Sequence, residues 1–261
     1  MEPAGAGCEG VTAAYREPRV SIVIPVYNEG ENIVDSLDRI LEATTLPCEI
    51  LTVYDTEDDT TIPYLEKYQR REPAVVPVLN TYGRGPANAI RFGIDQAKAE
   101  VCLVTMADGS DDPMQIDPLT RLVERGVVIA AASRYSHGGQ QVGGPALKGA
   151  LSRIAGLSLK YLARVGTRDA TNSFKAYSVP FVRAAGIESQ RGFAIGIELV
   201  AKARRARLPV AELPTIWLDR AYGASSFKVA AWIPQYLRWY FHAFGPRRSL
   251  VGDGRSDRGQ I

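Results

Sequence analysis

Three cysteines (Cys8, Cys48, Cys102) and two histidines (His137, His242) are all that this 261-residue chain offers to disulfide or soft-metal chemistry. The cysteines are odd in number and widely spaced, and no Cys or His pair stands at a metal-ligand interval, which excludes a disulfide framework and a zinc centre. Long apolar runs are missing too. The longest, such as Gly126 to Ala132, fall far short of the roughly 20 residues that a bilayer-spanning helix requires, so no transmembrane helix is expected. Residues 1–17 (MEPAGAGCEGVTAAYRE) have neither the basic start nor the apolar core of a secretory signal and read as a flexible tail. The expected location is therefore the cytoplasm.

Each half of the chain is also short of one sign of charge. Residues 1–120 hold 9 Lys/Arg against 21 Asp/Glu, a net of −12, whereas residues 121–261 hold 22 against 8, a net of +14, under an overall charge of +2. An acidic half suits a metal, and a basic half suits phosphate or an anionic membrane surface; solvated charged faces are the plain alternative. Nucleic acid is not an expected partner.

What is present is enough apolar content, 46%, for one large α/β domain or two small ones. Val20 to Ile24 is a β-branched run ended by Pro25, followed by a segment that places Ile33, Leu37, Ile40 and Leu41 on one helical face. The pattern recurs. Glu49 to Val53 precedes a helical stretch from Thr60, Val75 to Leu79 precedes a helix carrying Ile90, Ile94 and Ala97, and Val101 to Thr105 and Val127 to Ala132 are further buried strands. Such alternation predicts a mostly parallel, doubly wound α/β sheet with helices on both faces, whose ligands gather at the carboxyl ends of the strands. Beyond Arg134 come a Gly-rich loop, one long helix over Lys148 to Val165, and strand-like pieces at Ser173 to Ser178 and Val210 to Leu218. Residues 228–244 are aromatic with interspersed basic residues and read as interfacial anchor, dimer contact or core, with Pro234 arguing against an unbroken helix. Residues 246–261 read as a disordered tail.

The loops after the strands carry the chemistry. Pro25-Val26-Tyr27-Asn28-Glu29 offers an aromatic on which a base can stack, and the acidic loop at Asp55 offers acceptors for a base or ribose, with helix capping the stronger reading for Asp59 and Thr60. The glycine loop Asn80 to Asn88 resembles a phosphate cradle, but tight turns need glycine in any case. Met106 to Pro113 (MADGSDDP) concentrates three carboxylates and a hydroxyl past a buried strand. These hard oxygens suit Mg²⁺ or Mn²⁺ on a diphosphate, while Ser110 or Asp111 capping a helix near Pro113 is the plain reading.

Nine segments in order carry a resemblance: IPVYNEGENI, the loop at Asp55, GRGPANAI, ADGSDDP, ASRY, LKGALSR, RDATNSFKAY, GFAIGIEL and DRAYGASSFK. From about Arg19 to Phe244 the chain resembles the family 2 glycosyltransferases, and within them the polyprenyl-phosphate sugar synthases. The resemblance implies a GT-A fold over residues 18–245, with residues 18–134 as the nucleotide-sugar half and 135–245 as the acceptor half. It implies an inverting, metal-dependent transfer from a GDP- or UDP-linked sugar to a polyprenyl phosphate. Such an enzyme would be peripheral at the cytoplasmic face of a membrane, with or without a separate membrane subunit. By match, Pro25, Tyr27, Glu29, Asp55 and Ala107 surround the donor, and Asp108, with Ser110, holds Mg²⁺ or Mn²⁺. Arg134, Lys148, Ser152, Arg220 and Lys228 gather the phosphates, and Asp108, Arg134, Lys148 and Arg220 are the catalytic set.

The match departs from the family at several points. Met106 and Tyr54 stand where acidic residues are expected, Lys148 where an arginine is common, and GASSFK leaves Ser226 and Lys228 both open for the last basic role. A sugar-hydroxyl acceptor would instead need a base, for which Glu198 is the candidate, an ion pair with Lys202, Arg204 or Arg205 being its ordinary role. A non-catalytic nucleotide-sugar-binding protein is a further alternative. A nucleotidyltransferase is disfavoured, since IPVYNEG lacks the basic residues such a loop needs.

Overall fold

The structure is a computed structural model that describes residues 17–144, 146–219 and 229–250, with backbone alone for 146–148 and 229–231. The expected tail over 1–16, the end from 251 on, Arg220, Lys228 and the Lys148 side chain lie outside the described residues.

Four strand–helix units and a fifth strand build the first half. They are β1 (Val20–Pro25), α1 (Asn32–Ala43), β2 (Cys48–Tyr54), α2 (Ile62–Arg71), β3 (Val75–Leu79), α3 (Pro86–Gln96), β4 (Val101–Val104), α4 (Ile116–Glu124) and β5 (Ile129–Ser133). There follow β6 (Gln140–Val142), α5 (Ala146–Ser158), β7 (Lys175–Ser178), α6 (Val179–Ala185), α7 (Ile195–Ala206), β8 (Val210–Pro214), β9 (Ile216–Leu218) and α8 (Val229–His242). Seven strands form one sheet in the order β3-β2-β1-β4-β7-β5-β8, and β6 pairs with β9 in a second, small sheet. All pairings in the large sheet are parallel except those of β7, which runs antiparallel to β4 and β5.

Strand alternation puts one apolar set on each face. Ile22 and Ile24 of β1 join Ile33 and Leu37 of α1, Leu65 of α2 and Leu119 of α4 on one side. Val23 joins Ile90 and Ile94 of α3, Leu199 of α7 and Trp239 of α8 on the other. This is the doubly wound α/β architecture of the GT-A fold that the strand–helix alternation anticipates.

Four expectations are corrected. The single helix over 148–165 ends at Ser158 and passes into a π-helical turn, Leu159–Ala163, closed by Arg164 at φ 60°. The strand-like piece 210–218 splits at Thr215: its N–H makes the last bond to β5, at the Ser133 carbonyl, and β9 then pairs with β6 instead of the main sheet. Pro234 lies inside α8 without ending it. It falls in the second turn, so its missing N–H removes one bond near the helix start and the later turns continue. Residues 246–250, expected to be disordered, are tied to α7: Arg205 Nε donates to the Pro246 carbonyl at 2.7 Å, and Arg248 N–H donates to the Arg205 carbonyl at 3.0 Å.

Gly93 sets how closely α3 sits on the sheet. A β-carbon there would fall 2.5 Å from Val23 Cγ1, inside contact distance. Gly93→Ala is therefore expected to destabilise by about 1–3 kcal/mol in spite of alanine's better helix propensity, read as a lowered urea midpoint at unchanged m value.

Candidate active site

The three loops on the β1–β3 side are held to one another by side chains. Asp59 accepts the Asn28 N–H at 3.0 and 3.1 Å, and the Asn28 amide oxygen accepts the Thr60 N–H at 3.1 Å. Asp59 also accepts the Thr61 N–H at 2.8 Å and so joins the first loop to the second; the N-cap of α2 is Thr61, with no side-chain cap bond, so neither Asp59 nor Thr60 caps that helix as expected. Asp55 joins the second and third loops: its carboxylate accepts Asn80 Nδ2 at 2.8 Å and Gly85 N–H at 2.7 Å. Pro25 is buried at the end of β1 and Tyr27 projects outward, 66% exposed. Glu29 is half-buried, its N–H donating to Thr61 Oγ1 at 3.0 Å. The result is a shelf of loops at the carboxyl edge with an open aromatic on it.

In the turn after β4 the carboxylates divide their labour. Asp112, not Ser110 or Asp111, caps the 3-10 turn Pro113–Gln115, accepting Met114 N–H at 3.1 Å. Asp111 folds back under the turn, where Thr105 Oγ1 donates to it at 2.9 Å and Met106 N–H at 3.3 Å. Burial, reinforced by the neighbouring Asp108 charge, pushes the Asp111 carboxyl up to about 7, against the pull of Thr105, Met106 and Arg134. Asp108 is half-buried and accepts the Ser110 N–H at 3.1 Å. Ser110 itself is buried, and its carbonyl accepts Leu218 N–H from β9 at 3.1 Å. Ala107 is buried, its carbonyl taken by Ser36 Oγ at 2.5 Å. Asp108 is thus neither buried like Asp111 nor engaged as the cap like Asp112.

Opposite it, at the end of β5, stands Arg134. Its Nε and Nη2 donate to the two oxygens of the fully buried Asp169 at 2.8 and 2.9 Å, and its own backbone N–H adds a third bond at 3.0 Å. Among the described residues this leaves Nη1 without a hydrogen bond. Tyr135 and Trp217 lie 5.0 and 5.9 Å from the guanidinium carbon, over their ring faces. Burial works to push the Asp169 carboxyl up, yet Arg134, with Lys175 behind it, holds it below the ordinary value. Lys175 is fully buried on β7, and burial brings its ammonium down to about 8.

Ser152 of α5 shares a 2.8 Å hydrogen bond with Thr171, two residues past Asp169. The structure thus brings Asp108, Arg134 and Ser152 to one edge of the sheet, while the side chains of Lys148, Arg220 and Lys228 lie outside the described residues. Glu198 does not face that edge as a base. It is fully buried and accepts Glu188 N–H, Ser189 N–H and Lys202 Nζ at 2.7, 2.8 and 2.7 Å, the ion pair expected as its ordinary role.

Asp169 and Lys175 were not singled out by sequence reasoning, although both sit in RDATNSFKAY. The available signal was a lysine inside an otherwise apolar strand, Phe174-Lys175-Ala176-Tyr177, where a buried charge demands partners.

The sheet order, with an acidic turn after β4 and a clamped arginine after β5, has the architecture of a GT-A glycosyltransferase. Residues 21–184 match the family model described as Glycosyl transferase family 2, and the chain belongs to that family. It is 29% identical over 244 residues to the polyprenol monophosphomannose synthase of Mycolicibacterium smegmatis, covering 87% of this chain and 91% of that one. It is also 29% identical to the dolichol-phosphate mannosyltransferase of Pyrococcus furiosus, over 92% of this chain and 66% of that one. A mannosyltransferase from Pyrobaculum calidifontis, solved in complex with GDP-mannose and Mn²⁺, shares the fold at TM-score 0.58 and 17% identity, over 87% of this chain and 64% of that one. The chain therefore spans just under two thirds of these last two proteins.

Removing Asp169 strands a buried guanidinium, so Asp169→Ala is expected to cost about 3–5 kcal/mol of stability at neutral pH, measured by urea denaturation. The folded-state carboxyl is depressed, so its contribution is present above the ordinary carboxylate value and is lost as pH falls through the folded value. The wild-type advantage over Asp169→Ala is accordingly expected to shrink only below about pH 4.

Proposed function

We propose that this chain transfers a hexosyl group, with inversion, from a nucleotide-diphosphate sugar to a polyprenyl phosphate. The observation that carries the reading is Arg134, held by Asp169 at the carboxyl edge of the sheet with Nη1 left for an incoming anion. A phosphate nucleophile must approach an anionic donor, and a preset guanidinium offsets that repulsion without paying the cost of orienting itself on binding. A phosphate oxygen attacks the anomeric carbon, the bond to the departing nucleoside diphosphate breaks, and no proton has to be removed. Glu198, the base candidate for a hydroxyl acceptor, is committed elsewhere. The relatives' names, a polyprenol monophosphomannose synthase and a dolichol-phosphate mannosyltransferase, support the lipid acceptor, and the GDP-mannose and UDP complexes of fold neighbours support a GDP- or UDP-linked donor.

In this reading residues 18–134 bind the donor, with Pro25, Tyr27, Glu29, Asp55 and Ala107 around the nucleotide, and residues 135–245 bind the acceptor through Arg134, Lys148, Ser152, Arg220 and Lys228. Among the described residues no three His, Cys, Asp or Glu converge to cage an ion. Asp108, half-buried in the turn after β4, fits a hard cation whose remaining ligands are diphosphate oxygens and water. Asp108 would hold Mg²⁺ or Mn²⁺, and Ser110 would stiffen the turn that presents it. When bound, the ion supplies Lewis-acid neutralisation of the departing diphosphate. Incubating the protein with Mn²⁺, labelled GDP- and UDP-sugars and short polyprenyl phosphates is expected to move label into the organic phase. Asp108→Ala and Arg134→Ala are each expected to lower that rate by about 100-fold or more, while Glu198→Gln, where it folds, retains it. Label confined to water-soluble products overturns the lipid acceptor.

The reading includes a peripheral seat on the cytoplasmic face of a membrane. Among the described residues no helix is long and apolar enough to cross one. Helix α5 and the π turn after it expose Leu151, Ile154, Tyr161 and Leu162, and α8 exposes Ile233, Leu237 and Phe241. A 2.8 Å hydrogen bond between Ser158 and Tyr240 joins the two helices, so these faces are neighbours. Arg153 and Arg164 stand exposed beside them, complementary to anionic headgroups. Flotation with vesicles containing phosphatidylglycerol is expected to carry the wild type, and Ile154→Glu with Phe241→Glu to lose it while the melting temperature holds. Equal flotation of the double variant rules this face out.

A further inference from the structure

The turn Asp169 to Asn172 is where the proposed acceptor groups meet. It grips Arg134 through Asp169 and Ser152 through Thr171, and Asn172 Nδ2 fastens it to the Ala132 carbonyl of β5 at 3.0 Å. Inside the turn, Asn172 N–H donates to Asp169 Oδ1 at 3.2 Å. Two of its carbonyls, those of Ala170 and Asn172, point inward where water is excluded. Their donor is the ammonium of Lys175, at 3.3 Å from Ala170 O and in direct hydrogen bond with Asn172 O. Lys175 is 0% exposed, so it reaches no ligand itself. Helix α7 closes the chamber at Gly196, where a β-carbon would lie 3.1 Å from Asn172 O and 3.3 Å from Lys175 Nζ.

We propose that Lys175 is a positioning residue for the acceptor phosphate: it stakes the 169–172 turn from beneath and so sets the Arg134 guanidinium and the Ser152 hydroxyl side by side. This rests on the acceptor reading above. An apolar side chain in its place would orphan two buried carbonyls, which the turn can relieve only by shifting. A shift there moves both acceptor groups at once, because the same four residues hold them. The cation has a second effect. With Arg134 it sets two positive charges beside the buried carboxylate of Asp169, so Asp169 stays ionised.

The test compares wild type with Lys175→Met in full chains, by kinetics and by hydrogen exchange. In the transfer assay, the acceptor KM is expected to rise about tenfold while the donor KM stays within about twofold. Exchange of the amides in residues 168–174 is expected to quicken about tenfold, with those of β2 unchanged. A general loss of structure would instead move both KM values and β2 exchange together, and that outcome overturns the proposal, as does a normal acceptor KM. If Lys175→Met does not fold, Gly196→Ala, which crowds the same ammonium, is expected to raise the acceptor KM selectively, and an unchanged acceptor KM there overturns it. If wild type labels no polyprenyl phosphate, it is the acceptor reading that fails; exchange then decides for Lys175 by itself, with unaltered rates in 168–174 against it.

Discussion

The grip of Asp169 on Arg134 is the constraint on which the candidate site depends. Both groups are nearly sealed from water, 0% and 13% exposed as side chains, and a buried ion pair holds only when geometry and extra hydrogen bonds repay its desolvation. Here two parallel N–H bonds and a third from the Arg134 backbone supply that geometry. The third bond fixes the chain direction as it leaves β5, so the guanidinium has one orientation instead of many. A lysine could satisfy the charge but not the fork.

That grip is possible because of one antiparallel strand. In a wholly parallel sheet, the residues preceding a strand lie at its amino edge, away from the loops that bind ligands. Since β7 runs against β4 and β5, the turn that precedes it lies at their carboxyl edge instead. The acidic turn after β4, Arg134 after β5 and the 169–172 turn before β7 are therefore brought to one place by topology alone. The reversal puts Lys175 in register with Val104 and Ala131, deep in the sheet and directly behind the turn. The charge split between the chain's halves thereby meets at this edge, where the acidic turn after β4 comes to the same end of the sheet as Arg134 after β5 and Lys175 of β7.

Much of this was legible before any coordinates. The strand–helix alternation reports the sheet because period-2 and period-3.6 patterns survive wherever burial is two-sided, and Ile33, Leu37 and Ile40 do line the buried face of α1. Asp108, Arg134 and Ser152 were named and do share an edge. What escaped depends on contacts distant in sequence. Nothing in MADGSDDP tells that Asp112 takes the cap while Asp111 turns inward to Thr105, since either carboxylate can cap. Asp169 looked ordinary because its partner is 35 residues away. Residues 246–250 read as disordered from composition, yet Arg205 of α7 holds the Pro246 carbonyl and Arg204 the Gly245 carbonyl just before them, a tertiary effect that overrides local polarity. Pro234 was weighed as a breaker without its place in the helix, and a proline near a helix start removes little.

Helix α5 joins these threads. Ser152 looks inward to Thr171, while Leu151 and Ile154, 60% and 65% exposed, look outward on another face of the same helix. A lipid phosphate has the same division, an anionic head that seeks hydrogen bonds and a tail that no polar surface can hold. In the proposed reading the head sits at Arg134 and Ser152, and the tail would lie over the exposed apolar residues of α5 and α8 without entering the protein core. A free sugar phosphate would need the inner face only, and for it Leu151, Ile154 and Phe241 would be surplus apolar surface exposed to water. The outer face of α5 therefore bears on acceptor class as directly as the inner one.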